Sequence, residues 1–144
     1  MGITHIQVAV KPVVGIISTG NEIVAPETRP LPGQVRDVNR YTLSGLIMKA
    51  GGTSRFIDLV PDNKTALRQT CEKGLAQCNI LLLSGGSSVG VRDLTLQVLQ
   101  TFPGFSLLVH GVAISPGKPT ILAKIDNKLV FGLPGHPASA WVIA

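Results

Sequence analysis

A chain of 144 residues is the size of a single domain, and about two-thirds of the surface of such a chain can be buried on folding. The composition is 44% hydrophobic, 15% charged and 4% aromatic with 16 Gly and 10 Pro, which excludes a disordered tail, a coiled coil and a collagen-like repeat. The 13 Lys and Arg against 8 Asp and Glu give a net charge of +5, but these residues are scattered and few aromatic rings could stack on bases, so we predict no nucleic-acid partner.

The chain begins its regular structure with a predicted strand and a predicted helix. The apolar run over residues 13–18 is typical of a strand buried on both faces. A Pro- and Gly-rich excursion follows over residues 25–37, and residues 31–33 favour a small hairpin within it. Asn39 is a good N-cap, and apolar residues then recur at helical spacing until Gly51.

The same strand-then-helix pattern comes twice more. Residues 55–60 alternate like a strand, and Asp62 can cap a following helix with a stripe of Leu67, Cys71, Leu75 and Cys78. Residues 80–83 predict a third strand, which runs into a glycine- and serine-rich loop at residues 84–90. Asp93 can then open a third helix.

The last third of the chain predicts strands at residues 105–109, 121–125 and 128–131, with a bend at residues 115–119. The last two strands form a hairpin, and a helix begins at residue 138. Three strand–helix repeats predict an α/β fold: a three-layer α/β/α open, mostly parallel sheet with helices on both faces, plus a C-terminal β-hairpin. Since that helix stops after about two turns, we expect residues 1–144 to be one domain of a longer multidomain protein.

No apolar run reaches the roughly 20 residues that a membrane-spanning helix needs, and the first residues lack a signal-peptide pattern. We therefore predict no membrane partner and a cytoplasmic location. Cys71 and Cys78 are the only cysteines, and with no histidine nearby we expect two buried free thiols.

Ligands of open parallel sheets bind at the carboxyl ends of the strands, so the loops that leave those ends are the candidate site. The loop at residues 84–90 could surround an oxyanion with backbone N–H groups at a helix N-terminus, although it lacks the endings of a Walker loop and of a dinucleotide fingerprint. A tight turn without a ligand is the alternative.

Three acids, Glu22, Asp62 and Asp93, also follow strand ends. They would repel one another unless a cation such as Mg²⁺ sat among them, but Asp62 and Asp93 could equally be ordinary helix caps. Lys118 could offer a fixed positive charge to the same anion or could be a solvated loop lysine. His136 could contact a ligand, and a structural role is the alternative.

Five ordered segments of these loops resemble the central domain of the molybdopterin molybdenumtransferases, the MoeA and gephyrin E-domain family. They are residues 19–22 (Thr-Gly-Asn-Glu), 33–39 (Gly-Gln-Val-Arg-Asp-Val-Asn), 85–90 with Asp93, 116–119 (Pro-Gly-Lys-Pro) and 133–139 (Leu-Pro-Gly-His-Pro-Ala-Ser). The resemblance covers residues 13–144. It implies insertion of molybdate into the dithiolene of adenylylated molybdopterin with release of AMP, assisted by Mg²⁺.

The resemblance also implies roles for residues of this chain. Glu22, Asp62 and Asp93 would handle metal and molybdate, and Lys118 would join them in catalysis. The pterin and phosphate portions would be held by Thr19, Gly20, Asn21, Ser84, Gly85, Gly86, Ser87, Ser88, Gly90, Pro116, Gly117, Pro134 and Gly135.

Two features separate this chain from whole members of that family. Gly111 and Ser115 stand where lysines are common, which would weaken binding of a dianion. Whole members are nearly three times longer and build the cleft between domains, so we expect the isolated chain to bind a phosphorylated ligand weakly and to turn over poorly. A dimer or a trimer is also expected. The alternatives are a molybdopterin adenylyltransferase, which shares the fold, and a non-catalytic molybdopterin-binding module.

Overall fold

A computed structural model of the chain describes residues 2–85 and 89–144, and it describes the side chains in those ranges except those of residues 89–93. The elements within the described residues are β1 (Val13–Thr19), β2 (Ile23–Val24), β3 (Val35–Arg36), α1 (Asn39–Lys49), β4 (Thr53–Val60), α2 (Lys64–Gln77), β5 (Ile80–Gly85), α3 (Val89–Leu99), β6 (Phe105–His110), β7 (Ile121–Ile125), β8 (Lys128–Leu133) and α4 (Pro137–Ile143).

Six strands form one sheet in the order β4-β1-β5-β8-β7-β6. The first four run parallel, whereas β7 is antiparallel to both β8 and β6. Because β1 is paired with β4 on one side and β5 on the other, neither edge of its apolar run meets solvent. The predicted mostly parallel sheet and the predicted C-terminal hairpin, β7–β8, are both confirmed.

Side chains of the central strands alternate between two cores, because successive residues of a strand point to opposite faces. Ile17 and Leu83 pack in one core with residues of α2 and α3. Ile16 and Leu82 pack in the other with residues of α1 and α4. The sheet is therefore covered on both sides, which confirms the three-layer arrangement.

The hairpin predicted at residues 31–33 is wrong. β2 and β3 pair in parallel, with Ile23 opposite Val35, whereas a hairpin needs antiparallel strands. The predicted turn is present, because the Gln34 N–H donates to the Leu31 carbonyl at 2.9 Å. An earlier turn, closed by Thr28 N–H on the Ala25 carbonyl, reverses the chain first, so β3 runs in the same direction as β2.

Two of the predicted helix caps are wrong as well. Val38 holds the N-cap position of α1 without a side-chain hydrogen bond, and Asn39 is buried one residue further on. The cap of α2 is Asn63, whose side chain accepts from the Ala66 N–H at 3.0 Å, and not Asp62. Asn39 and Asp62 have other hydrogen-bond partners, described below, that the local sequence does not show.

The third predicted cap, Asp93, is also wrong because α3 begins at Val89, four residues earlier. The stripe predicted on α2 is right at Leu67 and Cys71, but Cys78 lies just beyond the helix in extended chain. Both cysteines are buried and free, as predicted. None of the helices in the described ranges has the length and apolar character that crossing a membrane would require.

Candidate functional site

A cavity of about 550 Å³ lies at the carboxyl ends of β1 and β5, where Ser18, Ser84 and Gly85 form its floor. After β1 the chain passes to α1 on one face of the sheet, and after β5 it passes to α3 on the other face. The two strands therefore enclose the crevice in which open α/β sheets bind ligands. The size lies within the range of small-molecule sites.

Asn39 ties three parts of this cavity together. Its Nδ2 donates to the Ser84 Oγ at 2.6 Å and to the Gly135 carbonyl at 2.9 Å. The first bond reaches the end of β5 and the second reaches the turn that precedes α4. The start of α1 is thereby fixed against both of them, which is why an amide rather than a cap stands at this position.

Three buried polar atoms of the cavity lining have no hydrogen-bond partner among the described residues. They are the Ser18 Oγ, the Asp37 Oδ2 and the Asn39 Oδ1, and their residues are exposed by only 2%, 5% and 7%. A buried polar atom without a partner costs roughly 1–3 kcal/mol. Three such atoms belong to residues that line one cavity, which makes this cavity the candidate ligand site.

Asp37 is held in place from both sides. Its backbone N–H donates to the Val24 carbonyl at 2.9 Å, which continues the β2–β3 pairing. Its Oδ1 accepts from the Arg40 N–H at 3.1 Å. The carboxylate therefore presents its other oxygen, Oδ2, in a fixed position.

Of the predicted site residues, Glu22, Ser84, Gly85 and Gly135 line this cavity. Thr19 is buried beneath it and pairs with Gly85 across β1 and β5. Gly85 has a φ of +155°, and a Cβ there would lie 1.9 Å from the Thr19 carbonyl oxygen. Only glycine allows the two strand ends to approach so closely.

Gly20 and Asn21 anchor the loop after β1 to the end of β4. The Gly20 N–H donates to the Val60 carbonyl at 3.2 Å. Asn21 and Asp62 exchange two bonds: the Asn21 N–H donates to the Asp62 Oδ2 at 3.3 Å, and the Asp62 N–H donates to the Asn21 Oδ1 at 3.1 Å. Asp62 therefore positions the loop that carries Glu22 and is not part of the cavity wall.

The predicted metal site is only partly described. Glu22 lies in the cavity wall and Asp62 lies behind it, while the side chain of Asp93 is outside the described residues. In the part of the chain that the structure describes, no three Asp, Glu, His or Cys side chains come together as a metal-binding group. Gly86, Ser87 and Ser88 also lie outside the described residues, and Gly90 is described only as part of α3.

Lys118 does not line the 550 Å³ cavity. It lies in a separate depression with His110, Gly111 and Pro119, beside the start of β7. A much smaller cavity between the two has Gly85 and Pro119 in its lining. The predicted cation therefore lies at the same edge of the sheet as Glu22 but in a different part of it.

The remaining predicted residues lie at either end of α4. Gly117 is buried against Ile143, and the peptide bond before Pro116 is cis. Pro134 is buried and does not line the cavity, whereas His136 does. Of the two roles considered for His136, its place in the cavity lining favours contact with a ligand over a purely structural role.

Sequence reasoning missed the buried polar side chains of the site that have an unpartnered atom, which belong to Ser18, Asp37 and Asn39. It also missed Arg36, a cation of the cavity wall whose Nε donates to the Pro26 carbonyl at 3.0 Å. The available signal was the Asp-Val-Asn sequence at the end of the long excursion. Only Asn39 of this sequence is predicted above to have a local role, that of a helix cap, because Asn is also a preferred capping residue.

Comparison with known proteins identifies the relatives of this site. The family described as a probable molybdopterin binding domain matches residues 15–144. The chain belongs to this family. The resemblance indicated by the five sequence segments is thereby confirmed.

Several larger proteins contain a similar domain of this molybdopterin-binding family. The chain is 36% identical over 141 residues to a molybdopterin molybdenumtransferase from a Nostoc species, covering 96% of this chain and 32% of that protein. It is 34% identical to the Haemophilus influenzae molybdopterin molybdenumtransferase, covering 99% and 35%. A solved molybdopterin biosynthesis MoeA protein from Pyrococcus horikoshii superimposes with a TM-score of 0.80 and 42% identity, covering 90% and 32%. The chain thus spans about a third of the length of these relatives.

Proposed function

We propose that this chain is the molybdopterin-binding domain of a molybdenumtransferase. In this proposal it takes part in molybdenum cofactor biosynthesis by binding adenylylated molybdopterin while molybdate enters the dithiolene and AMP is released. Its membership of the molybdopterin-binding family supports the substrate class. The observation that carries the proposal is the cavity at the ends of β1 and β5, whose lining residues include three buried polar atoms without a hydrogen-bond partner among the described residues.

The charges around the cavity are mixed, which suits a ligand with several kinds of polar group. Glu22 and Asp37 are the acids of its lining, and Arg36 is a cation of the same wall. Mg²⁺ belongs to the proposal as the ion that would let carboxylates share this edge with molybdate, a dianion. Its predicted ligands, Glu22, Asp62 and Asp93, stay a prediction.

The proposal assigns catalysis to the longer protein rather than to this chain alone. The relatives are about three times as long, so further domains of the parent protein would complete the cleft. We also propose a cytoplasmic location, which the two free thiols support, because disulfides are typical of oxidising compartments. A homodimer or homotrimer stays a prediction.

A non-catalytic molybdopterin-binding module is the second candidate, and one observation favours it. Among the described residues that line the cavity there is no lysine, and Lys118 lies in a separate depression. Gly111, at a position where lysine is common in the family, has a φ of +87°, which disfavours any larger side chain. A module of this kind would retain binding without turnover.

Product analysis separates these functions. The chain, alone and within its parent protein, is incubated with adenylylated molybdopterin with and without molybdate, and AMP is measured by chromatography. Molybdate-dependent AMP release by the parent protein, together with binding but poor turnover by the 144-residue chain, is the expected result. Pyrophosphate release from ATP and molybdopterin would indicate an adenylyltransferase instead, and binding without turnover in both would indicate the module.

A further inference from the structure

Two of the buried atoms in the cavity can only accept hydrogen bonds. The Asn39 Nδ2 already donates twice, so its unpartnered atom is the carbonyl oxygen Oδ1. The unpartnered Asp37 Oδ2 belongs to a carboxylate, which has no N–H or O–H of its own when ionised. A cation or a hydrogen-bond donor can satisfy such oxygens, and the part of an organic ligand that pairs with them directly is one that presents donors.

Unless a cation bridges them, the anionic parts of the proposed ligand do not fit directly against these two oxygens. Phosphate and molybdate oxygens are acceptors and carry negative charge, so they would meet the Asp37 carboxylate with repulsion and no hydrogen bond. The heterocycle of the ligand, in contrast, carries N–H groups.

On the basis of the proposed function, we infer that Asp37 and Asn39 bind the 2-amino-4-oxopyrimidine edge of the pterin. That edge carries two hydrogen-bond donors, the ring N3–H and the exocyclic 2-amino group, and Asp37 and Asn39 each offer one acceptor. Ile23 and Val35, which are paired neighbours of β2 and β3, line the same cavity and provide an apolar surface for one face of a flat ring. The chain thereby recognises the pterin through the edge that carries these hydrogen-bond donors.

The acceptors are well positioned for this role. Asp37 is fixed through Val24 and Arg40, and Asn39 through Ser84 and Gly135. Fixed acceptors lose little conformational entropy when a ligand binds. They also discriminate strongly, because a ligand with an acceptor in place of a donor leaves buried atoms unpaired.

The first test changes only the ligand. The 144-residue chain is titrated, by fluorescence and up to millimolar concentrations, with 6-hydroxymethylpterin and with 6-hydroxymethyllumazine, in which a 2-oxo group replaces the 2-amino group. We expect the pterin to bind at least about tenfold more tightly, because the lumazine sets an acceptor against the Asp37 and Asn39 oxygens. Equal affinities, a preference for the lumazine, or no pterin binding would each overturn the inference.

The second test changes the acceptor. Asp37→Asn retains an oxygen for the Arg40 N–H and replaces the free oxygen by an NH₂ donor of nearly the same size. We expect pterin affinity to fall about tenfold and lumazine affinity to rise, so that the preference narrows or reverses. Asp58→Asn, a change at an exposed carboxylate of β4 outside the cavity, is the matched control and should leave both affinities unchanged.

A titration with AMP distinguishes the pterin from the other donor-bearing parts of the ligand, the ribose hydroxyls and the 6-amino group of adenine. AMP should bind Asp37→Asn as it binds the unmodified chain. Loss of AMP binding with unchanged pterin binding would assign the two acceptors to the nucleotide and overturn the inference. If Asp37→Asn does not fold, as judged by circular dichroism, the pterin–lumazine comparison on the unmodified chain decides.

The inference and the proposed function can fail separately. Equal pterin and lumazine affinities beside molybdate-dependent AMP release in the parent protein would leave the function standing and remove only the role of Asp37 and Asn39. A clear pterin preference without AMP release would do the opposite, because the site would still recognise the heterocycle in a protein that does not insert molybdate.

Discussion

Asn39 is the residue on which the cavity most depends, since one amide nitrogen holds α1 against β5 and against the turn before α4. We expect Asn39→Ala to lower the free energy of unfolding by about 2–3 kcal/mol, because the Ser84 Oγ and the Gly135 carbonyl would lose their donor inside the protein. Urea denaturation followed by circular dichroism measures the change. Gln97→Ala, an exposed change on α3, is the control and should stay within about 0.5 kcal/mol.

Gly85, at the end of β5 beside Ser84, has no room for a side chain. Gly85→Ala should lower the free energy of unfolding by about 2–4 kcal/mol, because the new Cβ would lie 1.9 Å from the Thr19 carbonyl oxygen. The backbone of Gly85 has a positive φ, and its strand is paired with β1 at this position, so neither can shift freely to relieve the clash. Gly45→Ala is the matched control, since a Cβ there meets nothing within 4 Å and alanine favours the helix, so stability should rise by about 0.5–1 kcal/mol. Equal stabilities of Gly85→Ala and the unmodified chain would show that β1 and β5 can separate at this end.

At the scale of elements, the strands and helices could be predicted from the sequence because the spacing of apolar residues reflects which faces of each element are buried. β1 and β5 are continuous apolar runs because both of their faces are covered, and α2 has one apolar stripe because only one of its faces is covered. The family resemblance could likewise be found from the sequence, since five short loops lie in the expected order.

Helix boundaries and the polar half of the site could not be predicted in the same way. Capping and ligand binding use the same short polar residues, so the local sequence around Asn39 and Asp62 is consistent with both. Their partners, Ser84 and Asn21, are 45 and 41 positions away along the chain. Only the assembled sheet brings these pairs together, and it also decides which of their atoms stay unpartnered.

The packing of α2 against the sheet has a consequence for the pH dependence of stability. Burial raises the pKa of the Cys71 thiol from 9.0 to about 12, and the neighbouring Glu72 carboxylate adds to the rise. Below pH 9 the thiol is protonated in both the folded and the unfolded chain and makes no pH-dependent contribution. Between pH 9 and 12 only the unfolded chain ionises, so this thiol lowers the free energy of unfolding by about 1.4 kcal/mol for each pH unit.

Cys71→Ala should remove that part of the pH dependence. The variant is expected to be less stable than the unmodified chain at pH 7, because it leaves a cavity in the core, and the difference should narrow as the pH rises above 9. Denaturant titrations of both proteins between pH 7 and 10.5 measure it, and groups common to both cancel in the difference. A difference that is constant over this range would contradict the prediction.

At the scale of the whole molecule, the folded body begins close to Pro12, whose carbonyl accepts from the Thr53 N–H at 2.8 Å. Residues 2–11 are exposed and have no regular structure. Four apolar side chains in this segment are at least 73% exposed: Ile3, Ile6, Val8 and Val10. They contribute nothing to either core, so the sheet and its helices form a complete unit without them.

Deletion of residues 2–10 should therefore change the free energy of unfolding by no more than about 0.5 kcal/mol, because no buried contact is lost. Deletion of residues 137–144 is the contrasting case. It removes α4, with the buried Ala140 and with Ile143, which packs in the core beside α1, and it should destabilise the chain by several kcal/mol or prevent folding. Both are measured by thermal and urea denaturation. A large loss of stability on deleting residues 2–10 would mean that the exposed segment folds against the body, and the description of the domain as beginning near Pro12 would be wrong.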